Sequence, residues 1–454
     1  MKMNIEKHSS KFIKPLVPTP PSLRYYKISF IDELAPSMDI GIVLFFSENN
    51  NDHNTKFVTQ LEQSLEKTLP RFYPLAGRYV DETYTIDCND DEQSLEKTLS
   101  RFYPLAGRYV NETYTIDCKD DGVEFIHAKV NIKLQDIIAN EKNSKLVDKF
   151  IPPKTGEANL LLAIQATMFE SGGVALGVRA AHRIVDASTL CTFLSEWAAM
   201  NREEHIEITG PGFNTSSLFP GRCFSPGPLQ PISDDDMSTK YIRKLYSFSE
   251  SAISNMKVKA NTSTCHHHWS KVQLVSAVIW NALIGVDRAN NNPRESVLVQ
   301  PVNLRGKTAS LIPKHSCGNL CVFCATEAGV IETTEELANR LTNNVKEMIH
   351  NFSKVDHNSE EGQLRVLNSL SLPNIRESTN LITISSWCKF PFYGIDFGLG
   401  TPTWIAPWSM PMVNTTCLMD EARGNGVDAH VFIEVKDVPY FEEALRLQVG
   451  SFAA

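Results

Sequence analysis

The clearest pattern of apolar and polar positions lies between residues 160 and 200. Leu160 to Phe169 is an apolar run of strand length, Glu170-Ser171-Gly172-Gly173 is a turn, and Val174 to Ala181 is a second apolar run. Two such runs across a glycine turn predict a pair of buried strands. After His182 the period changes. Leu190, Phe193, Leu194 and Trp197 fall at helical spacing, and Asp186 stands near the start of that helix, where a carboxylate suits the helix dipole.

Beyond Met200 the pattern gives way to a Pro-, Gly- and Ser-rich stretch reaching Asp236, which predicts a crossover between two units. Periodicity then resumes. Val275 to Ala289 reads as a buried helix, while Ser296 to Val302 and Asn319 to Cys324 read as strands. Leu337, Leu341, Val345 and Ile349 form one stripe of a helix ending at Phe352, with Thr333 and Glu336 at capping-box spacing. Strands and helices mix in both halves, so the expected class is α/β with two layered domains, 1–205 and 237–454, joined by a linker at 206–236. A chain of 454 residues also exceeds what one hydrophobic core usually supports.

A direct repeat interrupts the first half. Glu62 to Asp91 recurs as Glu92 to Asp121, differing only at Pro70/Ser100, Asp81/Asn111 and Asn89/Lys119. Each copy reads as a helix, then Phe-Tyr-Pro-Leu-Ala-Gly-Arg, then a strand ending in Ile-Asp-Cys. Stacking repeats need three or more units to bury a continuous core. Two near-identical copies therefore indicate a single duplication whose copies compete for one core position, and one copy is superfluous to the fold.

Composition narrows the class. The net charge of -9 argues against nucleic acid as a partner, because binding a phosphate backbone needs a basic surface. No apolar run approaches the ~20 residues of a membrane span, and the polar N-terminal stretch lacks a signal-peptide core. Ten scattered cysteines in such a chain indicate reduced thiols, so the expected compartment is the cytosol.

Candidate chemistry centres on His182-Arg183-Ile184-Val185-Asp186. An imidazole at a strand-to-helix turn can take a proton from an alcohol as its oxygen attacks an acyl carbon. The spacing is weak evidence by itself; its company is more specific. Asn303-Leu304-Arg305 follows a strand, and Asp396-Phe397-Gly398-Leu399-Gly400 is an acidic turn punctuated by glycine. Other motifs fail. Cys317, Cys321 and Cys324 have the spacing of an iron–sulfur loop but start too late in the chain for the barrel such enzymes use. His266-His267-His268 suits a polar loop better than a metal site. Gly306-Lys307-Thr308 lacks the first glycine of a phosphate loop, and no Gly-x-Ser-x-Gly elbow occurs.

His-x-x-x-Asp, Asn-Leu-Arg and Asp-Phe-Gly-x-Gly, in that order, resemble the BAHD acyltransferases of plants. Pro18-Thr19-Pro20, the Tyr-Pro-Leu-Ala-Gly-Arg segment, Gly318-Asn319 and Ser385-Ser386-Trp387-Cys388 extend the likeness over nearly the whole chain. The resemblance implies two chloramphenicol-acetyltransferase-like domains, each a mixed sheet flanked by helices, with His182 as general base in a channel between them. Acyl-CoA would be a co-substrate with no permanently bound cofactor and no metal, the acceptor a small-molecule alcohol, and the enzyme a monomer. It implies Asp186 and Asp396 as the acidic members of the catalytic set, Asp186 held by an arginine and Asp396 paired with Arg305. Gly398 and Gly400 would support the turn, Ser385 and Trp387 would line the site and donate to an oxyanion, and Ser270 and Lys271 would meet CoA. Leu399 departs from the tryptophan usual there, which implies a looser turn.

Overall fold

The computed structural model describes residues 3–47, 54–79, 115–139, 144–154, 160–204, 212–224, 240–260, 269–310, 312–370, 376, 378–409, 412 and 414–449. The strands are β1 (Ile5–Ile13), β2 (Tyr25–Lys27), β3 (Asp39–Phe46), β4 (Arg78–Tyr79), β5 (Thr115–Asp117), β6 (Val123–Val130), β7 (Leu162–Phe169), β8 (Val174–Ala181), β9 (Tyr241–Phe248), β10 (Ser296–Asn303), β11 (Cys321–Ala328), β12 (Asn380–Ser386), β13 (Trp404–Pro407), β14 (Thr415–Asp420) and β15 (Val427–Glu434). They form two six-stranded sheets, ordered β1-β6-β7-β8-β3-β13 and β11-β10-β12-β14-β15-β9, and a small sheet β2-β5-β4. Each large sheet mixes parallel and antiparallel pairs, for example β6–β7 parallel and β7–β8 antiparallel.

The first core packs the helices Asn54–Thr68 and Ala187–Asn201 onto the first sheet. Leu61, Leu65, Leu194 and Trp197 meet there at helical spacing, all fully buried. Trp197 donates its indole Nε1 to Ser64 Oγ at 2.9 Å, so the one polar atom of that ring is satisfied. In the second half, helix Lys271–Ala289 lies on the second sheet, its N-terminus closed by a Ser270/Gln273 capping box. By length and composition that helix could cross a membrane, but 72% of its apolar window is buried in this core. Thr333 and Glu336 form the predicted capping box on helix Thr334–Phe352.

Two features of the topology depart from a simple division at 206–236. Strand β13 leaves the second half and closes the first sheet against β3. Within the linker, Thr215–Leu218 is a short helix, and Gly212 and Pro220 make bridges to Ser316 and Ser29, so this segment is stitched to both halves.

The repeat is used as a composite. The helix and the Leu69–Ala76 turn come from the first copy, whereas β5, with Ile116 buried, comes from the second. Antiparallel pairing of Arg78 and Tyr79 with Asp117 and Ile116 joins them. Deleting residues 80–109 links Tyr79 to Val110 and turns β4 and β5 into a five-residue-loop hairpin, a connection of common length. The shortened chain should remain soluble, with a melting temperature and turnover close to those of the full chain. An insoluble product would show that the duplication has become part of the fold.

Candidate active site

β8 ends at Ala181 and the helix Ala187–Asn201 follows after five intervening residues, so the turn is short and tightly bonded. Ile184 and Val185 both donate their backbone N–H to Ala181 O at 3.1 Å, and His182 N donates to Met38 O at 2.9 Å. The imidazole is thereby held at the rim of a cavity of about 140 Å³ between the two halves. The first half contributes Ile31, Leu34, Met38 and Ile40 to its wall; β10, β11, β12 and β14 contribute Asn303, Cys321, Thr383, Ser385 and Thr415. Ser385 and Trp387 line this same cavity. Burial pulls the His182 pKa below its ordinary value, against smaller upward pulls from its own backbone carbonyl, Asp186 and Asn319. The ring is therefore neutral near pH 7 and able to accept a proton.

Asp186 borders the cavity, yet both its oxygens are occupied. As N-cap of the helix it accepts from Thr189 N and Thr189 Oγ, each at 2.8 Å. Arg305 grips it from the second half, Nη1 to Oδ2 at 2.7 Å and Nη2 to Oδ1 at 3.1 Å. The remaining N–H groups of Arg305 reach Ser316 O at 2.8 Å, Gly318 O at 2.9 Å and Asn303 Oδ1 at 3.2 Å, so all donors of this buried guanidinium are used. Burial would raise the Asp186 carboxyl, but the Arg305 charge and these hydrogen bonds hold it below the usual carboxylate range.

The expected Arg305–Asp396 pair is not formed, because Arg305 is committed to Asp186. Asp396 does not line the cavity. Its Oδ1 closes its own turn, accepting from Gly398 N at 2.7 Å and Gly400 N at 2.9 Å. Both glycines have positive φ, +91° and +82°, a conformation that side chains resist. Arg202 donates to the Asp396 carbonyl, Asn201 Nδ2 donates to Phe397 O at 2.7 Å, and the Phe397 ring meets Trp197 edge-on at 4.8 Å. The turn is thus anchored to the end of the helix that Asp186 caps. Leu399, half-buried against the first core, sits in a turn already closed by these bonds, not a loose one.

Ser270 and Lys271 lie away from the cavity and have internal partners. Ser270 caps its helix, and Lys271 Nζ binds Asp420 Oδ1 at 2.8 Å and Gly426 O at 3.1 Å. β11 sends Cys321 to the cavity and Cys324 to the opposite face, into a separate apolar cluster, so the three-cysteine spacing does not converge on one cluster site. His266-His267-His268 lies outside the described residues.

Sequence reasoning gave no role to Asn319 or Asp32. Asn319 Nδ2 donates to His182 O at 2.6 Å and to Asp32 Oδ1 at 2.9 Å, while its backbone N reaches the same Oδ1 at 2.7 Å. Asp32 is 0% exposed and caps the helix Phe30–Leu34 reciprocally with Ser29. Its signal in the sequence was an aspartate inside the apolar run Ile28 to Leu34, three residues after a serine.

Known proteins resemble this one throughout. The profile described as the Transferase family matches residues 3–91 and 92–447. Vinorine synthase from Rauvolfia serpentina is 31% identical over 442 residues, 94% of each chain. A malonyltransferase from Salvia splendens, acting on a pelargonidin glucoside, is 29% identical over 98% of this chain and 99% of its own. Stemmadenine O-acetyltransferase from Catharanthus roseus is 30% identical over 93% and 92%. The crystal structure of vinorine synthase superposes with a TM-score of 0.77 at 28% identity, covering 98% of each chain.

Replacing Asp186 by Asn keeps the shape but leaves Arg305 buried without its countercharge. Breaking a buried pair in this way costs about 3–5 kcal/mol, readable by urea unfolding. Asp396→Asn, which keeps an acceptor for the two glycines, should cost clearly less. Because the Asp186 pKa is depressed, its contribution is complete above the unfolded carboxyl value of ~3.9 and disappears as pH falls through the lower folded value. The acid-dependent part of the stability curve should therefore shrink in Asp186→Asn.

Proposed function

The chain belongs to the Transferase family of BAHD acyltransferases, and we propose that it carries an acetyl group from acetyl-CoA to a hydroxyl of a small plant specialised metabolite such as an alkaloid or terpenoid. The observation that carries this reading is His182, neutral and half-buried at a cavity shared by both halves. Its Nδ1 is enclosed by protein, which leaves Nε2 to face the substrates.

In the proposed reaction the acceptor O–H gives its proton to His182 Nε2 as the oxygen attacks the thioester carbonyl. The tetrahedral intermediate then expels the CoA thiolate, which recovers the proton from the imidazolium. Ser385 and Trp387 on the cavity wall are the donors assigned to the oxyanion. A thioester is already activated, so transfer is direct. The thiol of Cys321 also lines the cavity, but burial pushes its pKa up to about 12, so it stays protonated and is a poor nucleophile.

The choice of acetyl, and of an uncharged face on the acceptor, rests on charge. Among the described lining residues the ionisable side chains are His182, Asp186 and Cys321, and Asp186 is neutralised by Arg305. The described part of the wall offers no cation to a dicarboxylic acyl group such as malonyl, and an unpaired carboxylate is costly in such surroundings. The same reading makes the enzyme a cytosolic monomer with acyl-CoA as its co-substrate.

His182→Ala should lower turnover by about 10²–10⁴ with an unchanged melting curve, and an undiminished rate would remove the base from the mechanism. Released CoA should be measured across donors and acceptors. Acetyl-CoA should exceed malonyl-CoA as donor, and amines outperforming alcohols would make the enzyme an N-acyltransferase. Since the His182 pKa is lowered, kcat/KM should hold from neutrality down past the ordinary histidine value of ~6.5 and fall only below it.

A further inference from the structure

The general base carries an unfilled hydrogen-bonding position. His182 Nδ1 is enclosed and has no partner in normal geometry, and the same is true of Asn319 Oδ1. These two orphans belong to residues already joined, since Asn319 Nδ2 donates to the His182 carbonyl at 2.6 Å. In the tautomer that leaves Nε2 free to accept a proton, Nδ1 is a donor; an amide oxygen is only an acceptor. The Asn319 side chain is also one of the groups opposing the effect of burial on His182. Its oxygen is the amide atom able to favour an imidazolium, because the Nδ2 donor would disfavour it.

Asn319 is itself immobilised. Its backbone N and its Nδ2 converge on Asp32 Oδ1 at 2.7 and 2.9 Å, and Ser29 Oγ donates to the other Asp32 oxygen at 2.6 Å. Its neighbour Gly318 is held through its carbonyl by Arg305 at 2.9 Å. The amide is therefore fixed from both sides, with its donors spent and its acceptor unspent.

We propose that Asn319, anchored on Asp32, is the positioning residue of the general base. In the working geometry its Oδ1 takes up the Nδ1 proton of His182, which the structure leaves unpaired, while its Nδ2 holds the His182 carbonyl, so Nε2 keeps its lone pair toward the cavity. The bond tightens as the imidazolium forms, and Asp32 holds the amide in place through its Oδ1. Asn319 touches no reacting atom. The inference rests on His182 being the base. The other ionisable groups around the ring are Asp186 with its partner Arg305, and Cys321 across the cavity.

The test compares pH–rate profiles of the full chain with those of Asn319→Ala and Asp32→Asn, beside His182→Ala. Asn319→Ala should lower kcat about 10–100-fold, the size typical of an orienting partner, with KM little changed. Its acid limb in kcat/KM should move to lower pH, because a group that favours the imidazolium has gone. Asp32→Asn, which preserves volume, should shift both in the same direction by less. A purely structural role would lower the melting temperature without moving the limb. Folded Asn319→Ala with wild-type kcat, or with an unmoved limb, overturns the proposal. If Asn319→Ala does not fold, Asp32→Asn with unchanged kcat and limb overturns it. Nitrogen-15 shifts of the imidazole in the unmodified protein, assigned by their loss in His182→Ala, should report the Nδ1–H tautomer, and the Nε2–H tautomer is the contrary result. Should His182→Ala retain full turnover, it is the base reading that fails. Should His182 prove essential while Asn319→Ala behaves as wild type, only the positioning role falls.

Discussion

A guanidinium locked to a carboxylate between the two halves is the contact on which the site depends. Asp186 and Arg305 are 119 residues apart in sequence and meet at 2.7 Å with almost no solvent around the arginine side chain. Removing two charges from water is costly, and their attraction compensates only when geometry is good and every remaining donor is satisfied. Here both conditions hold. The carboxylate caps a helix and the guanidinium finds three further oxygens. The pair thereby sets the position of β8, the helix after it and the end of β10 relative to one another, and the cavity is the space those elements leave between them.

That arrangement also governs the chemistry of the histidine. A bare carboxylate four residues from an imidazole would favour its protonated form, since unit charges a few ångströms apart interact by about 4 kcal/mol in a partly buried setting. Arg305 pairs with that carboxylate at 2.7 Å, and the upward pull Asp186 still exerts on His182 is smaller than the effect of burial. Burial therefore dominates and His182 stays neutral near pH 7, the state a general base needs. The aspartate of the motif thus contributes by being neutralised.

Much of this was legible along the chain. The two strands before His182 and the helix after it follow from an apolar run, a glycine turn and a change of period, and appear as Leu162–Phe169, Val174–Ala181 and Ala187–Asn201. The helix at Lys271 starts a turn before its apolar pattern because Ser270 and Gln273 cap it, a signal present in the sequence. The partner of Arg305 was not legible. Asp186 and Asp396 both offered a carboxylate at a glycine-rich or capping turn, and spacing cannot say which one a distant arginine meets. Strand β13 was equally hidden, because four residues carry too little periodicity to show that they belong to the other sheet. The repeat could be counted but not apportioned, since near-identical copies have the same propensity and only the packing tells which helix and which strand occupy the core.

Three aspartates, Asp32, Asp186 and Asp396, show one physical logic. Asp32 accepts from Ser29, from the Asn319 backbone and from the Asn319 amide; Asp186 accepts from Thr189 and Arg305; Asp396 accepts from two glycine N–H groups. Each sits in a turn that adjoins a different element, and each turns loose backbone donors into fixed geometry. A carboxylate spent this way holds backbone and side-chain donors in place, and at Asp186 the Arg305 charge also keeps the carboxyl below its usual range. Among the described lining residues, the basic group left to the cavity is the His182 imidazole, in a wall of aliphatic, aromatic and neutral polar groups. The carboxylates beside that nitrogen are thus committed to the scaffold, and the proposed proton transfer falls to the imidazole.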